Sequence, residues 1–474
     1  MKDLKDKTTG TNFIDAHCHY FNGAYALREL VAIGWNLIWG NYPHRKPGLL
    51  KAEVRGLRGR PVVEGWGSLV KYVARLVATI ARTCRGNYDY EQEKFSDSGI
   101  GGGASLITAP LMMDIYYIFD NGEEDVTQLD SLSKTALLPT QFTEDFVASR
   151  HRQQFREYLQ RIKMEVKKQL PAEARALDYG VGKGRQAGPD LDRLLKDIED
   201  EFMGKGSVRM TLAARVLDNV EMSKGYAGEI TDLQDLHKGR KDRIFPFLAV
   251  DPRRIGIMNL VRNVGKGKEF AGVKLYPPLG YLPTHPNLYP VYDYCIKNDV
   301  PITVHCSDGG FPTPLRNIYV RSTENRKEDK WVKLNKENTA SQFFADPEKW
   351  RPILEDSRYK KLRLNFAHFG GMNQVLDYSC NPEKNTWPKK IVKFMTDHPN
   401  VYADLAYCPD KTIVEAVEKI TDKEQIVNKR LMFGTDFIMI MFERELGGLE
   451  NYFSRFAQLA SPMFTDNPRR FFGI

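Results

Sequence analysis

The sequence is poor in the residues that would make several classes of protein. Cysteine is scarce, with six in 474 residues, and Cys18, Cys84, Cys295, Cys306, Cys380 and Cys408 are scattered without a CxxC pair. That excludes a disulfide framework and the common zinc-ribbon spacings, and it fits a reducing compartment. No apolar run approaches the ~18 residues of a membrane-spanning helix, and the start MKDLKDKTTGTN lacks the apolar core of a signal peptide. A cytoplasmic chain with no membrane partner is expected. A large excess of one charge is also missing. The 69 Lys and Arg are interleaved with 61 Asp and Glu for a net +8, which argues against a dedicated nucleic-acid binder. No phosphate-binding glycine fingerprint follows an early strand. The run GIGGGA (Gly99 to Ala104) precedes a strand instead of opening a helix, and reads as a flexible connector.

Histidine is equally sparse, at nine residues, yet two of them stand two apart in FIDAHCHYF, Phe13 to Phe21. On a regular strand, residues i and i+2 share a face, so Asp15, His17 and His19 would point the same way. Alone, such a pair suits a metal site no better than a hydrogen-bonded interior.

The rest of the chain supplies context. Hydrophobic residues at 42% and charged residues at 27% are ordinary for a folded protein. Eight short β-rich runs recur: 12–19, 105–114, 243–251, 272–277, 300–306, 362–368, 401–406 and 430–437. Helical stretches such as LYPVYDYCIKN and PKKIVKFMTDHP separate the later ones. Strands alternating with helices predict an α/β fold with a parallel sheet, and eight units are the count of a (β/α)8 TIM barrel. The strand-bearing segments sum to about the ~250 residues of that fold. The expected organisation is therefore one domain over 1–474, with two large, mainly helical insertions, 22–103 and 119–241, after strands one and two. In the first, Trp66, Leu69, Val70, Val73, Leu76, Val77 and Ile80 form a helical apolar stripe; in the second, Ser149 to Leu170 is a charged amphipathic helix. Following strands, both insertions should overhang the C-terminal mouth of the barrel as a lid or substrate pocket.

In that arrangement His17 and His19 end strand one, His305 ends strand five, His368 ends strand six and Asp436 ends strand eight. All sit at the rim where catalytic groups of the fold collect. Three imidazoles and a carboxylate suit one divalent ion, Zn2+ foremost, with a position left for water or substrate. Such an ion lowers the pKa of water to roughly 7, and a remaining histidine or aspartate can move the proton.

At IDAHCH, GVKLYPP, PITVHC, LNFAHFGG and FGTDF the chain resembles the amidohydrolase superfamily, in particular the branch that includes aminocarboxymuconate-semialdehyde decarboxylase and several lactone hydrolases. The resemblance covers the strands and not the insertions. It implies a (β/α)8 barrel with one divalent metal held by His17, His19, His305 and Asp436, and His368 as general base or acid. Asp15 matches the DxHxH pattern but reads as a buried hydrogen-bonding residue. A strand-four lysine, here Lys274, is carboxylated between two metals in binuclear relatives and unmodified in this branch. The histidines 44, 151, 237, 285 and 398 read as structural or exposed. Arg316 and Arg321, in the loop after strand five, would suit a substrate carboxylate through bidentate pairing, and Tyr276 could reach into the mouth.

The function expected is metal-dependent hydrolysis of an ester, lactone or amide in a small, carboxylate-bearing molecule, with His368 and Asp436 moving protons. Non-oxidative decarboxylation on the same scaffold is the alternative. A metal-stabilised binding protein is disfavoured by the proton-transfer pair. A homo-oligomer is left open.

Overall fold

The computed structural model describes residues 13–22, 83–100, 103–114 and 152–169, a few short pieces up to 222, and most of 224–474. The apolar stripe Trp66 to Ile80 and Arg316 lie outside the described residues.

Each of the eight expected runs contains a strand: β1 (Phe13–Cys18), β2 (Leu106–Pro110), β3 (Phe247–Ala249), β4 (Gly272–Leu275), β5 (Ile302–Val304), β6 (Leu364–Phe366), β7 (Val401–Asp404) and β8 (Leu431–Met432). β3 to β8 form one parallel sheet in the spatial order β8-β7-β6-β5-β4-β3, and β1 pairs in parallel with β2. The two sheets are linked at both edges. Beside β2, Thr108 bridges Ile244 and Leu111 bridges Phe247. Beside β1, Ala16 N–H donates to Phe433 O at 3.0 Å and Asp436 N–H to His17 O at 2.7 Å.

These strands are short and buried on both faces, with apolar residues on one and polar ones such as Lys274, Thr303, Asn365 and Asp404 on the other. Phe366 and Leu364 of β6, like Ile302 and Val304 of β5, are fully buried. A smaller core of Ile14, Ala16, Ile107, Phe247, Tyr402 and Met432 is packed by Phe471 and Phe472 at the end of the chain.

Among the described residues three helices fall in the ranges expected to be inserted: α1 (Cys84–Asp97), α2 (Arg152–Gln169) and α3 (Lys224–Lys238). The amphipathic reading of α2 agrees with the structure, since Tyr158, Leu159 and Ile162 are buried while Arg156, Glu157, Gln160 and Arg161 are exposed. α1 starts at Thr83, whose side chain accepts from Gly86 N–H, and buries Cys84, Asn87, Tyr88, Glu91 and Phe95 along one face. α3 is tied to β3 by the Tyr226 hydroxyl, which donates to Ala249 O. Among the described residues no helix is long and apolar enough to cross a membrane.

Candidate metal centre

β1 does not keep strict alternation. Its register against β2 shifts between Asp15 and Cys18, and a shift of one residue sends side chains to opposite faces. Asp15 and Cys18 converge with Glu91 of α1, whereas His17 and His19 converge with Asp436. The common face expected for Asp15, His17 and His19 is thus corrected by this irregularity. Asp15 is buried and hydrogen-bonded, accepting from His17 N–H at 2.9 Å and Thr435 N–H at 3.1 Å.

The ligand atoms of His17, His19 and Asp436 lie within 4.8 Å of one another, and all three residues are buried. His17 Nε2 is 3.3 Å from His19 Nε2 and 3.7 Å from Asp436 Oδ1, and His19 Nε2 is 3.1 Å from the same oxygen. The opposite ring atoms are engaged. His17 Nδ1 faces both oxygens of Asp404 at 3.1 and 3.2 Å, and His19 Nδ1 faces the Leu111 carbonyl at 2.6 Å. Carboxylate and carbonyl oxygens only accept, so each Nδ1 carries a ring proton, and burial keeps the His17 ring neutral with its Nε2 lone pair turned to the centre. Two ring nitrogens and a carboxylate oxygen converging at this spacing are the donor types that a divalent cation takes. A partner oxygen fixing the far nitrogen is also how metal-binding imidazoles are commonly oriented. The donor set fits such an ion.

His368 continues the row, its ring 4.8 Å from those of both His17 and His305. Its Nδ1–H donates to Ala406 O at 3.1 Å, and its Nε2 lies 3.2 Å from His305 Nδ1. His305 faces Gly309 O and Ser307 Oγ with its other nitrogen, at 3.2 and 3.1 Å. The structure therefore brings His305 against His368, and it is not one of the three residues whose ligand atoms cluster at Asp436. Burial pushes His17 down to about 3 and His305 and His368 below the usual histidine range.

Asp404, at the end of β7, was missed by sequence reasoning. It also accepts from Asn365 Nδ2 at 2.7 Å, His368 N–H at 3.0 Å and Ala406 N–H at 3.1 Å. Burial alone would raise it, but the His17 and His368 imidazoles and these bonds together hold it well below the usual carboxylate range. Its one sequence signal is a charged residue inside the otherwise apolar VYADLA. Lys274 is fully buried, and its Nζ has no hydrogen-bond partner among the described residues. Burial pushes it down to about 8, against the pull of Asp404 and Asp436. The Tyr276 ring lies 4.5 Å from that of His305. Arg321 is half-buried on the segment that follows. His237 and His285 are buried structural residues, bonded to Ile244 O and Asn287 N–H.

Close approach and strain mark the same place. A Cβ on Gly434 would stand 2.8 Å from His17 Cβ, so the strand end admits only glycine there. His368, Phe369, Tyr407, Asp436 and Ile438 all have positive φ. Non-glycine residues in that region cost roughly 1–2 kcal/mol each and gather at functional sites. The bonds His368 N–H to Asp404 and Asp436 N–H to His17 O hold two of them there.

No curated protein matches the chain in sequence. Solved structures similar to it include a manganese-bound 5-carboxyvanillate decarboxylase from Novosphingobium aromaticivorans, at 11% identity, covering 98% of each chain with a TM-score of 0.37. A 2,6-dihydroxybenzoate decarboxylase from Rhizobium shares 15% identity over 63% of this chain and 94% of its own, with a TM-score of 0.32. A probable 2-pyrone-4,6-dicarboxylic acid hydrolase from Acinetobacter baumannii shares 11% over 52% and 78%, with a TM-score of 0.31. Likeness this distant adds nothing to the geometry of the site. The amidohydrolase family model is different in kind, because it matches residues 189–474, more than half of the chain. This protein is an enzyme of the amidohydrolase family.

Proposed function

We propose that the protein is a metal-dependent hydrolase that cleaves an ester, lactone or amide bond in a small, carboxylate-bearing substrate. The reading includes a closed barrel: the links from β2 to the segment before β3, and from β1 to the segment after β8, support closure of the eight strands. It also makes 1–474 one domain. α1 and α3, packed on the strands, are read as its first crossover helices, with the inserted segments lying before them.

His17, His19 and Asp436 would hold one divalent ion, Zn2+ being the first candidate for a nitrogen-rich set, with His305 as the further ligand of the family pattern. When bound, the ion supplies Lewis acidity, acidifying water and polarising a carbonyl. The chain's own residues do the rest. Asp404 keeps His17 in the tautomer that binds, and the Leu111 carbonyl does the same for His19. Tyr276, and Arg316 after β5, are the proposed substrate contacts, the arginine for the carboxylate.

One observation favours hydrolysis over decarboxylation. His368 commits its ring proton to Ala406 O and presents Nε2 as an acceptor. Hydrolysis first needs a group that takes a proton from water, whereas protonating a carbon needs one that arrives already carrying it.

Two measurements test this. Elemental analysis of protein purified without added metal should find near one equivalent, lost in His305→Ala; near two would make Lys274 a carboxylated bridge. A panel of lactones, esters and aromatic or unsaturated acids should show hydrolysis. Release of CO2 without any hydrolysis would replace the proposal with the decarboxylase.

A further inference from the structure

We propose that Glu91, on α1 between β1 and β2, is a positioning residue for the metal centre, joining the segment that carries His19 to the segment that carries Asp436. The inference rests on the reading of those two residues as metal ligands.

The buried face of α1 is dedicated to the strand ends. Cys84 Sγ contacts Tyr20 O at 2.7 Å, and Asn87 Nδ2 donates to Phe21 O at 2.8 Å. Gln92 makes two bonds to the Leu106 backbone, donating at 2.9 Å and accepting at 3.2 Å. Each of these touches one strand only. Glu91 touches two: its carboxyl accepts from the hydroxyl of Tyr20, the neighbour of His19, and lies 3.2 Å from the Oγ1 of Thr435, the neighbour of Asp436. Thr435 Oγ1 also donates to Asp15, whose other oxygen takes His17 N–H, and accepts from Phe437 N–H at 2.9 Å.

One fully buried group thus closes a ring of bonds behind the site, and the ring includes a backbone or side-chain atom beside each of His17, His19 and Asp436. Partners of this kind, which orient ligands without touching the ion, change metal affinity when removed. Glutamine at 91 keeps an oxygen for the Tyr20 hydroxyl and can turn its amide group toward Thr435 Oγ1, so it should preserve the ring, whereas leucine of similar size cannot.

The test compares wild type with Glu91→Gln, Glu91→Leu and Gln92→Ala as full-length, metal-free proteins. Co2+ binding is followed by its visible absorption, Zn2+ affinity by competition with a chromophoric chelator, and stability by thermal unfolding. Glu91→Leu should weaken metal binding by about 10–100-fold and alter the Co2+ spectrum, with Glu91→Gln restoring both. Gln92→Ala should lower the melting temperature and leave both metal readouts unchanged. A wild-type affinity and spectrum in Glu91→Leu would overturn the proposal. So would an equal loss in Gln92→Ala, which would make the effect general loosening. If Glu91→Leu does not fold, Tyr20→Phe takes its place, and an unchanged spectrum there is equally adverse. Wild-type protein that binds no Co2+ would defeat the metal reading itself, and the role of Glu91 with it.

Discussion

Asp404 decides the state of the site more than any residue that faces the centre. It fixes the ring of His17 and the backbone of His368 at once. Asp404→Asn keeps the shape but turns an amide toward His17 Nδ1, so metal affinity should fall about 10–100-fold, measurable by chelator competition. The histidines also make the metal-free protein sensitive to acid. His17 is held neutral in the folded chain down to about 3, while the unfolded chain takes a proton at the ordinary value near 6.5. Between those values the unfolded state binds more protons, so stability is present above the window and lost as the pH falls through it. Each such histidine contributes up to about 1.4 kcal/mol per pH unit. His305 and His368, also lowered, act in the same direction. Urea denaturation in chelator should show this decline, and a flat profile from pH 7 to 4.5 would contradict the neutral burial of these rings.

At the level of elements, α1 packs its buried face on β1 and the segments beside it. Phe95 stands 5.5 Å from Phe13 of β1 and 5.3 Å from Phe453, ring to ring, and is buried. Phe95→Ala should cost about 3–5 kcal/mol in a denaturation experiment, because the strand, the helix and the far ring cannot all collapse into the cavity. The existence of the strands was legible from short apolar runs ending in polar turns. Their boundaries were not: β8 is only Leu431–Met432 inside the expected 430–437, because the chain leaves the sheet to bring Thr435 and Asp436 to the site. The irregularity in β1 was equally hidden. Alternation predicts one face for Asp15, His17 and His19, and pairing with β2 and the bonds from Thr435 to Asp15 separate them.

For the whole molecule, metal and stability are linked. An ion that binds only the folded chain should stabilise it by about 2.7 kcal/mol at 100 times its dissociation constant. Thermal unfolding with and without Zn2+ should show this rise, and His19→Ala should abolish it. The family match begins at residue 189, so β1 with His17, and His19 just after it, lie outside it. The fold unites the two parts: the bonds Ala16 N–H to Phe433 O and Asp436 N–H to His17 O bring the start of the chain beside its end.

By itself the sequence determined the eight strand positions and the residue types at their ends, because period, burial and turn chemistry are local and are written in short windows. His17, His19, His305, His368 and Asp436 could be picked out for that reason. Only the tertiary structure decided which of them meet. Grouping His17, His19 and Asp436, setting His305 against His368, and recruiting Asp404, Glu91 and the buried Lys274 all depend on contacts between residues far apart in the chain. A hydrogen bond across such a distance leaves no period to read.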